Sequence, residues 1–386
     1  MPSNYHDEHS VSRSNGPTGN NADMNGNWDP DLVDDEDLDS DFRITPPEYS
    51  VEELLGQLVS APDELDVRHL LVLSDLARAD VEIVRRDWPS IPVERRRTIL
   101  RHLIDLAAND VAVHLGRLLR VTLEDSDPAV RKLTIEGLWE DMAVDLVGPL
   151  IQMVRVDDDN DVRAAAATAL GNAILAAELD ELDSSLAMRA EEALLEIISN
   201  DDQSVIVRSR ALESLAYSGE TGIRQLIEDG YYSPFEEMRV SALVAMGRSA
   251  DIRWRGLVRA ELQNPSPAMR AQAARACGEL EATSALPDLI DLISDEQLEV
   301  KLAAIFALGH IGGPQAREVL DALSHSEEPA EVEAAADAME DMLFYSDPET
   351  IPLYDESEQD DGEEWDIDPW DQWNDFDDRD MGTYEN

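Results

Sequence analysis

The stretch "DVRAAAATALG", residues 161–171, returns in altered form along the middle of the chain. It stands beside "AVRKLTIEGLW" (129–139), "IVRSRALESLA" (206–216), "EMRVSALVAMG" (237–247), "AMRAQAARACG" (268–278) and "EVKLAAIFALG" (299–309). Each copy has an apolar residue, a base, and small or apolar residues three and seven positions after the base. A weaker copy, "ERRRTILRHLI" (94–104), precedes them, and a degenerate one, "EVEAAADAMED" (331–341), follows. The base or its equivalent falls at 96, 131, 163, 208, 239, 270, 301 and 333, in steps of 35, 32, 45, 31, 31, 31 and 32. A repeat at fixed period is the mark of a stacked architecture.

A period of 31 suits two helices of about 12 residues joined by short turns. The first helix of each unit is visible in "LVGPLIQMVR" from 146, "GIRQLIEDG" from 222, "ALPDLIDLIS" from 285 and "AREVLDALS" from 316. Asp127, Asp161 and Pro267 stand where the second helices should begin, as caps and a first-turn proline. Gly171, Gly247, Gly278 and Gly309 stand where a left-handed residue should end them. Ala166, Ala211, Ala242, Ala273 and Ala304 repeat at one position, and Ala169, Ala245, Ala276 and Ala307 at another. Such small side chains let neighbouring helices approach closely, and one helix pair cannot cover its apolar faces alone. The expected fold is all-α, an α-solenoid of about eight stacked helix hairpins, roughly 70–80 Å long at usual helix spacings. No stretch alternates with period two, so no sheet is expected.

This pattern, V-R-x-x-A-x-x-A-L-G at about 31-residue spacing, resembles HEAT-like repeats of the phycobilisome-lyase type over about residues 91–342. That resemblance implies the stacked fold. It also implies a choice of roles, because such repeats occur in bilin lyases, in a di-iron hydroxylase and in plain binding scaffolds. The 45-residue step departs from the pattern and holds "AAELDELDSSLAM" (176–188), an insertion expected to form a loop on one face.

Ahead of the repeats, residues 49–90 read as a helical cap. "SVEELLGQLVS" opens with a capping box, Ser50 to Glu53, and "DVRHLLVLSDLARAD" (66–80) reads as a second helix. Residues 1–48 and 346–386 are acid-rich and poor in aliphatics, and are expected to be disordered tails. Both mix acids with aromatics, in "WDPDLVDDEDLDSDF" (28–42) and "EEWDIDPWDQWNDFDD" (363–378). The repeat region is bounded as 91–345.

The chain carries 85 acids and 30 bases, a net charge of −55. That argues against nucleic acid as a partner, because phosphate binding needs a cationic footprint. Cys277 is the single cysteine, so no intrachain disulfide can form. "MPSNYHDEHSVSRSNG" has no apolar h-region, and no run of about 18 apolar residues occurs. A cytoplasmic protein without membrane attachment is expected.

Searches for chemistry end without a catalytic, cofactor or metal residue. None of the seven histidines precedes a glutamate, the adjacent pair that the resemblance would require for a di-iron site. His310, in "ALGHIGG", suits a helix C-terminus. "DEDLDSD" (35–41) and "DDDNDV" (157–162) lack the glycine and glutamate of an EF-hand loop. Cys277 falls on an apolar helix position, as a buried thiol would. There is no G-x-S-x-G and no P-loop.

Two sets of residues stand out for binding. "IVRRDWPSIPVERRRTILRHL" (83–103) gathers Arg85, Arg86, Arg95, Arg96, Arg97 and Arg101 against Asp87 and Glu94. Either these arginines pair with acids on neighbouring helices, or they form a patch that binds carboxylates and aromatic rings. Arg131, Arg163, Arg208, Arg239, Arg270 and Lys301 repeat through the array. They form a ladder facing a partner on the inner face, or each pairs with the next unit's acid and orders the stack. Trp365, Trp370, Trp373 and Phe376 are candidate anchors in the C-terminal tail. That tail would dock on the arginine-rich stretch of its own chain or on a cationic partner, unless it serves only to solubilise. The expected function is a non-enzymatic scaffold for another protein. The alternative is an accessory lyase or modifying protein of the bilin-lyase-like branch.

Overall fold

The computed structural model describes residues 49–60, 67–109, 111–139, 143–219 and 222–346. Among them the regular elements are all helical. None of these helices is long and apolar enough to cross a membrane. The chain divides into a compact N-terminal unit ending at Leu133 and a C-terminal unit beginning at Thr134.

The N-terminal unit contains α1 (Val51–Ser60), α2 (Val67–Leu70), α3 (Arg78–Asp87), α4 (Val93–Asn109), α5 (Gly116–Thr122) and the start of α6 (Pro128–Gly137). Ser50 and Glu53 close the capping box at α1: the Ser50 amide donates to Glu53 Oε2 at 2.9 Å and the Glu53 amide to Ser50 Oγ at 3.3 Å. Val51, Leu54, Leu55 and Leu58 are buried on one face of α1. The helix expected over 66–80 is broken instead. After α2 and a short 3-10 turn, Asp75 takes a left-handed φ of 43°. The chain is tied there to a later segment, with the Asp75 amide donating to His114 O at 2.8 Å and the His114 amide to Ser74 Oγ at 2.9 Å. These long-range bonds outweigh local helix propensity.

The C-terminal unit is a run of helix pairs: α7 (Val144–Val156) with α8 (Asn160–Glu178), α9 (Ser184–Ile198) with α10 (Val205–Leu215), α11 (Ile223–Tyr231) with α12 (Glu236–Arg248), α13 (Arg255–Glu261) with α14 (Pro267–Glu279), α15 (Leu286–Leu292) with α16 (Leu298–Ile311), and α17 (Pro314–Leu323) with α18 (Pro329–Ser346). Each first helix packs on its second, and the second helices pack on one another in the order α8, α10, α12, α14, α16, α18. This is the α-solenoid the repeat predicts. The alanines of both repeated positions are buried at these crossings, Ala242, Ala273 and Ala304 completely.

The repeated glycines have a different role from the one expected. Gly171, Gly247, Gly278 and Gly309 lie inside their helices, and among the described residues the positive φ angles of glycines fall at Gly312 and Gly313. A Cβ on Gly278 would stand 2.8 Å from Ala307 Cα, and one on Gly309 would stand 2.7 Å from the Ala338 carbonyl oxygen. These glycines are therefore where consecutive second helices touch backbone to backbone. The left-handed corner comes three residues later, at Ala250, Glu281 and Gly312. At α14 the Glu281 amide donates to Gly278 O and the Ala282 amide to Cys277 O, both at 2.8 Å. That pair of bonds is the Schellman closure.

Two further expectations are corrected. The cap of α8 is Asp159, whose side chain accepts from the Asp161 and Val162 amides; Asp161 lies in the first turn, where an acid favours the helix dipole. Residues 176–188 do not form a loop: they lengthen α8 and α9 around a short turn at 179–183. "AAELDELDSSLAM" is made of good helix formers around one break, and Asp180 (φ 61°) and the cap Asp183 supply that break. Asp127 caps α6, accepting from the Val130 amide at 3.1 Å, and Pro267 opens α14.

Candidate partner-binding face

The repeated bases sit at the N-terminal turns of the second helices, and most of their donors are spent there. Arg131, Arg239 and Arg270 each donate to the carbonyls six and five residues back, Asp125 and Ser126, Ser233 and Pro234, Asn264 and Pro265. Arg270 also holds Asp295 of the next repeat through both oxygens, at 2.8 and 3.0 Å. Lys301 reaches Glu331 at 2.8 Å, and Arg163 bonds Val154 O and Gln203. Arg208 pairs with Asp201 at 2.9 Å. These bonds tie each pre-helix turn to its own or the next repeat. The Arg270 guanidinium, chiefly through its hydrogen bonds, holds Asp295 below the usual carboxylate range, and the Lys301 ammonium does the same to Glu331. Arg163, Arg270 and Lys301 thus reach from one repeat to the next, and Arg131, Arg208 and Arg239 brace their own pre-helix turns.

The arginine-rich stretch 83–103 is similarly engaged. Arg96 is nearly fully buried, and its guanidinium donates to Asp125 Oδ2 at 2.5 Å. Trp88 Nε1 donates to the same oxygen at 2.7 Å. Arg97 clamps Asp127 at 2.9 and 2.6 Å and reaches Glu94. Arg86 bridges Asp87 and Glu52, Arg95 donates to Leu58 O, and Arg85 faces Glu82 at 3.6 Å. Arg101 is exposed. The six arginines do not converge on one open surface. Trp365, Trp370, Trp373 and Phe376 lie outside the described residues.

The second helices keep a different stripe open to solvent. Val240, Val244 and Arg248 on α12, Gln272 and Arg275 on α14, and Leu302, Phe306 and His310 on α16 are half-buried, between fully buried positions. Rings and cations alternate along it: Arg248 lies 5.1 Å above the Tyr217 ring and Arg275 5.8 Å from the Phe306 ring. Beneath the stripe is a buried carboxylate, Glu213, which accepts from Arg210 at 2.6 Å and Ser241 Oγ at 2.5 Å.

The turn between α11 and α12, "YYSPF" (231–235), is the most open apolar point near this stripe. Tyr232 is 77 % exposed and Phe235 49 % exposed. A groove of about 540 Å³ lies on one side, with Asp201, Arg208, Asp229 and Tyr232 in its walls. A second groove of about 610 Å³ crosses from α10 to α14 over Arg210, Val240, Val244 and Gln272. Pro234 and Phe235 line both grooves and form the ridge between them. Cys277 is fully buried, and burial pushes its thiol up to about 12, which makes it a poor nucleophile.

With this geometry in place, comparison with known proteins identifies the repeats. A family model for HEAT repeats matches residues 116–192 and 257–340. Those two stretches carry HEAT repeats. Among solved structures, the complex of CpcE and CpcF of phycocyanin lyase from Nostoc sp. is similar at 18% identity, with a TM-score of 0.42, covering 59% of this chain and 93% of that one. Human deoxyhypusine hydroxylase is similar at 16% identity, with a TM-score of 0.33, covering 69% of this chain and 96% of that one. An engineered protein is similar at 19% identity, with a TM-score of 0.36, covering 51% of this chain and 96% of that one. No curated protein matches the chain.

The stripe and the "YYSPF" ridge are what reading the sequence missed. Aligned on the repeated base, Val240 and Leu302 stand one position later and Gln272 two, and the rest of the stripe falls in the columns five and nine positions later. Those columns hold Val244, Arg275 and Phe306, and Arg248, Glu279 and His310. Neither column is uniformly small or apolar, which is the mark of a face no neighbouring repeat covers.

Proposed function

We propose that this chain is a non-enzymatic scaffold that binds another protein along the open stripe of its second helices. The observation that carries this reading is the division of labour within each repeat. The alanines, glycines and repeated bases are committed to stacking, and the columns left open hold mixed apolar, aromatic and charged groups with grooves between them. That is the composition of a binding surface, with an apolar centre and a polar rim. The acidic-aromatic segments 28–42 and 363–378 dock on a basic surface in this reading. The arginines of 83–103 are mostly engaged already, so the partner's surface is the better target. Tryptophans would anchor the contact and carboxylates would steer it.

Affinity capture from host lysate with the full chain as bait tests the scaffold. The expected result is one stoichiometric protein retained at low and moderate salt; an empty bait at both would contradict the reading.

A further inference from the structure

We infer that the ridge at Tyr232–Phe235 and its two flanking grooves bind a cationic segment of the partner, with arginine or lysine side chains entering on either side of Phe235. This rests on the scaffold reading above and names the chemistry of its partner. Five carboxylates line the two grooves, Asp201, Asp229, Glu213, Glu236 and Glu237, against two arginines. Both arginines are already held, Arg208 by Asp201 and Arg210 by Glu213. Glu213 is buried and taken up by Arg210 and Ser241, and the other four carboxylates are less committed. The Asp201 side chain remains 91% exposed while paired. Asp229 accepts from Gln225 Nε2 through one oxygen, and Glu236 accepts from Ser266 Oγ and faces Arg239 at 3.7 Å. Glu237 is exposed on the first turn of α12.

The apolar part of the site suits the same occupant. Tyr232 packs edge-on against Tyr231 at 5.0 Å between ring centroids, and Tyr231 OH is in turn bonded to Glu261. The exposed ring is thus braced from behind and offers its outer surface. A guanidinium or ammonium over such a ring gains from the π-face as well as from nearby carboxylates. The aliphatic stem of the same side chain can lie on Pro234 and Phe235. An acidic segment would meet Asp229, Glu236 and Glu237, which the groove arginines leave uncompensated. The net charge of −55 adds long-range attraction for a cation.

The test uses the full chain and a short synthetic peptide alternating arginine with leucine, beside a counterpart with glutamate in place of arginine. Binding is measured by anisotropy and located by hydrogen exchange. The arginine peptide is expected to slow exchange across 226–240, and the glutamate peptide is not. Phe235→Ala, and Asp201→Asn combined with Asp229→Asn, should each weaken binding about tenfold or more and remove the protection. Glu318→Gln, an exposed change on α17, should change affinity less than about twofold. Unchanged thermal melting of Phe235→Ala keeps the comparison interpretable. Protection confined to the two acidic tails, equal binding of both peptides, or equal effects of the ridge and α17 variants would overturn the inference. A retained lysate partner alongside any of those results would leave the scaffold reading standing and remove only the cationic assignment.

Discussion

Gly278 is the residue on which the approach of α14 to α16 turns. A methyl group there would meet Ala307 Cα at 2.8 Å, and backbone cannot step aside as a flexible side chain could. Gly278→Ala is expected to destabilise the chain by about 1–3 kcal/mol, read from the urea midpoint. Ala250, at φ 50°, is the reverse case. Ala250→Gly relieves a left-handed alanine at some entropic cost, for a net gain of about 0.5 kcal/mol. The bases act through their acids. Arg270 lowers Asp295, so its folded value lies below the unfolded 3.8. The stability it contributes is complete above that unfolded value and is lost as pH falls through the folded one. Asp295→Asn should therefore lower the melting temperature at neutral pH, and the gap to the parent protein should close below about pH 4. A gap that stayed constant with pH would show that the ion pair is not its source. At this scale the sequence was ambiguous for a physical reason: glycine both ends helices and admits close neighbours, and only the packing distinguishes the two uses.

Individual helices were easier to read than their breaks. The repeat placed the second helices well because buried alanines and a basic first turn recur in each copy. The 66–80 stretch was misread because its break depends on His114, distant in sequence. The 176–188 insertion was misread because a change of period does not say whether the extra residues extend helices or leave them. Within the N-terminal unit, the turn before α6 is joined to α3 and α4 through one buried carboxylate. Asp125 accepts from both Trp88 and Arg96. Asp125→Ala would leave the Arg96 guanidinium buried without its counter-ion, and is expected to cost about 3–5 kcal/mol. Asp125→Asn keeps the acceptor and should cost less. Parallel chemical denaturation orders the two variants; both remove the charge, so equal losses would mean that the retained acceptor contributes nothing and the ion pair carries the whole effect.

For the molecule as a whole, stacking occupies some columns of each repeat and leaves others open, and it is to the open ones that we assign binding. In the proposed reading the acids that dominate the composition also set how a partner arrives. Association with a cationic partner should slow steeply as salt rises, with dissociation changing less; stopped-flow mixing over a salt series would show it. The sequence made the stacked helical array legible because eight imperfect copies reinforce one another. It left the open face unread because that face is defined by what the next repeat fails to cover. The most direct measurement is side-by-side capture of the partner by two full-chain variants. One carries Val244→Arg and Phe235→Ala on the open face, and the other carries Arg239→Gln in the ladder at the turn. The open-face variant is expected to lose the partner while melting like the parent, and the ladder variant to retain it. Retention by the first with loss by the second would contradict the account.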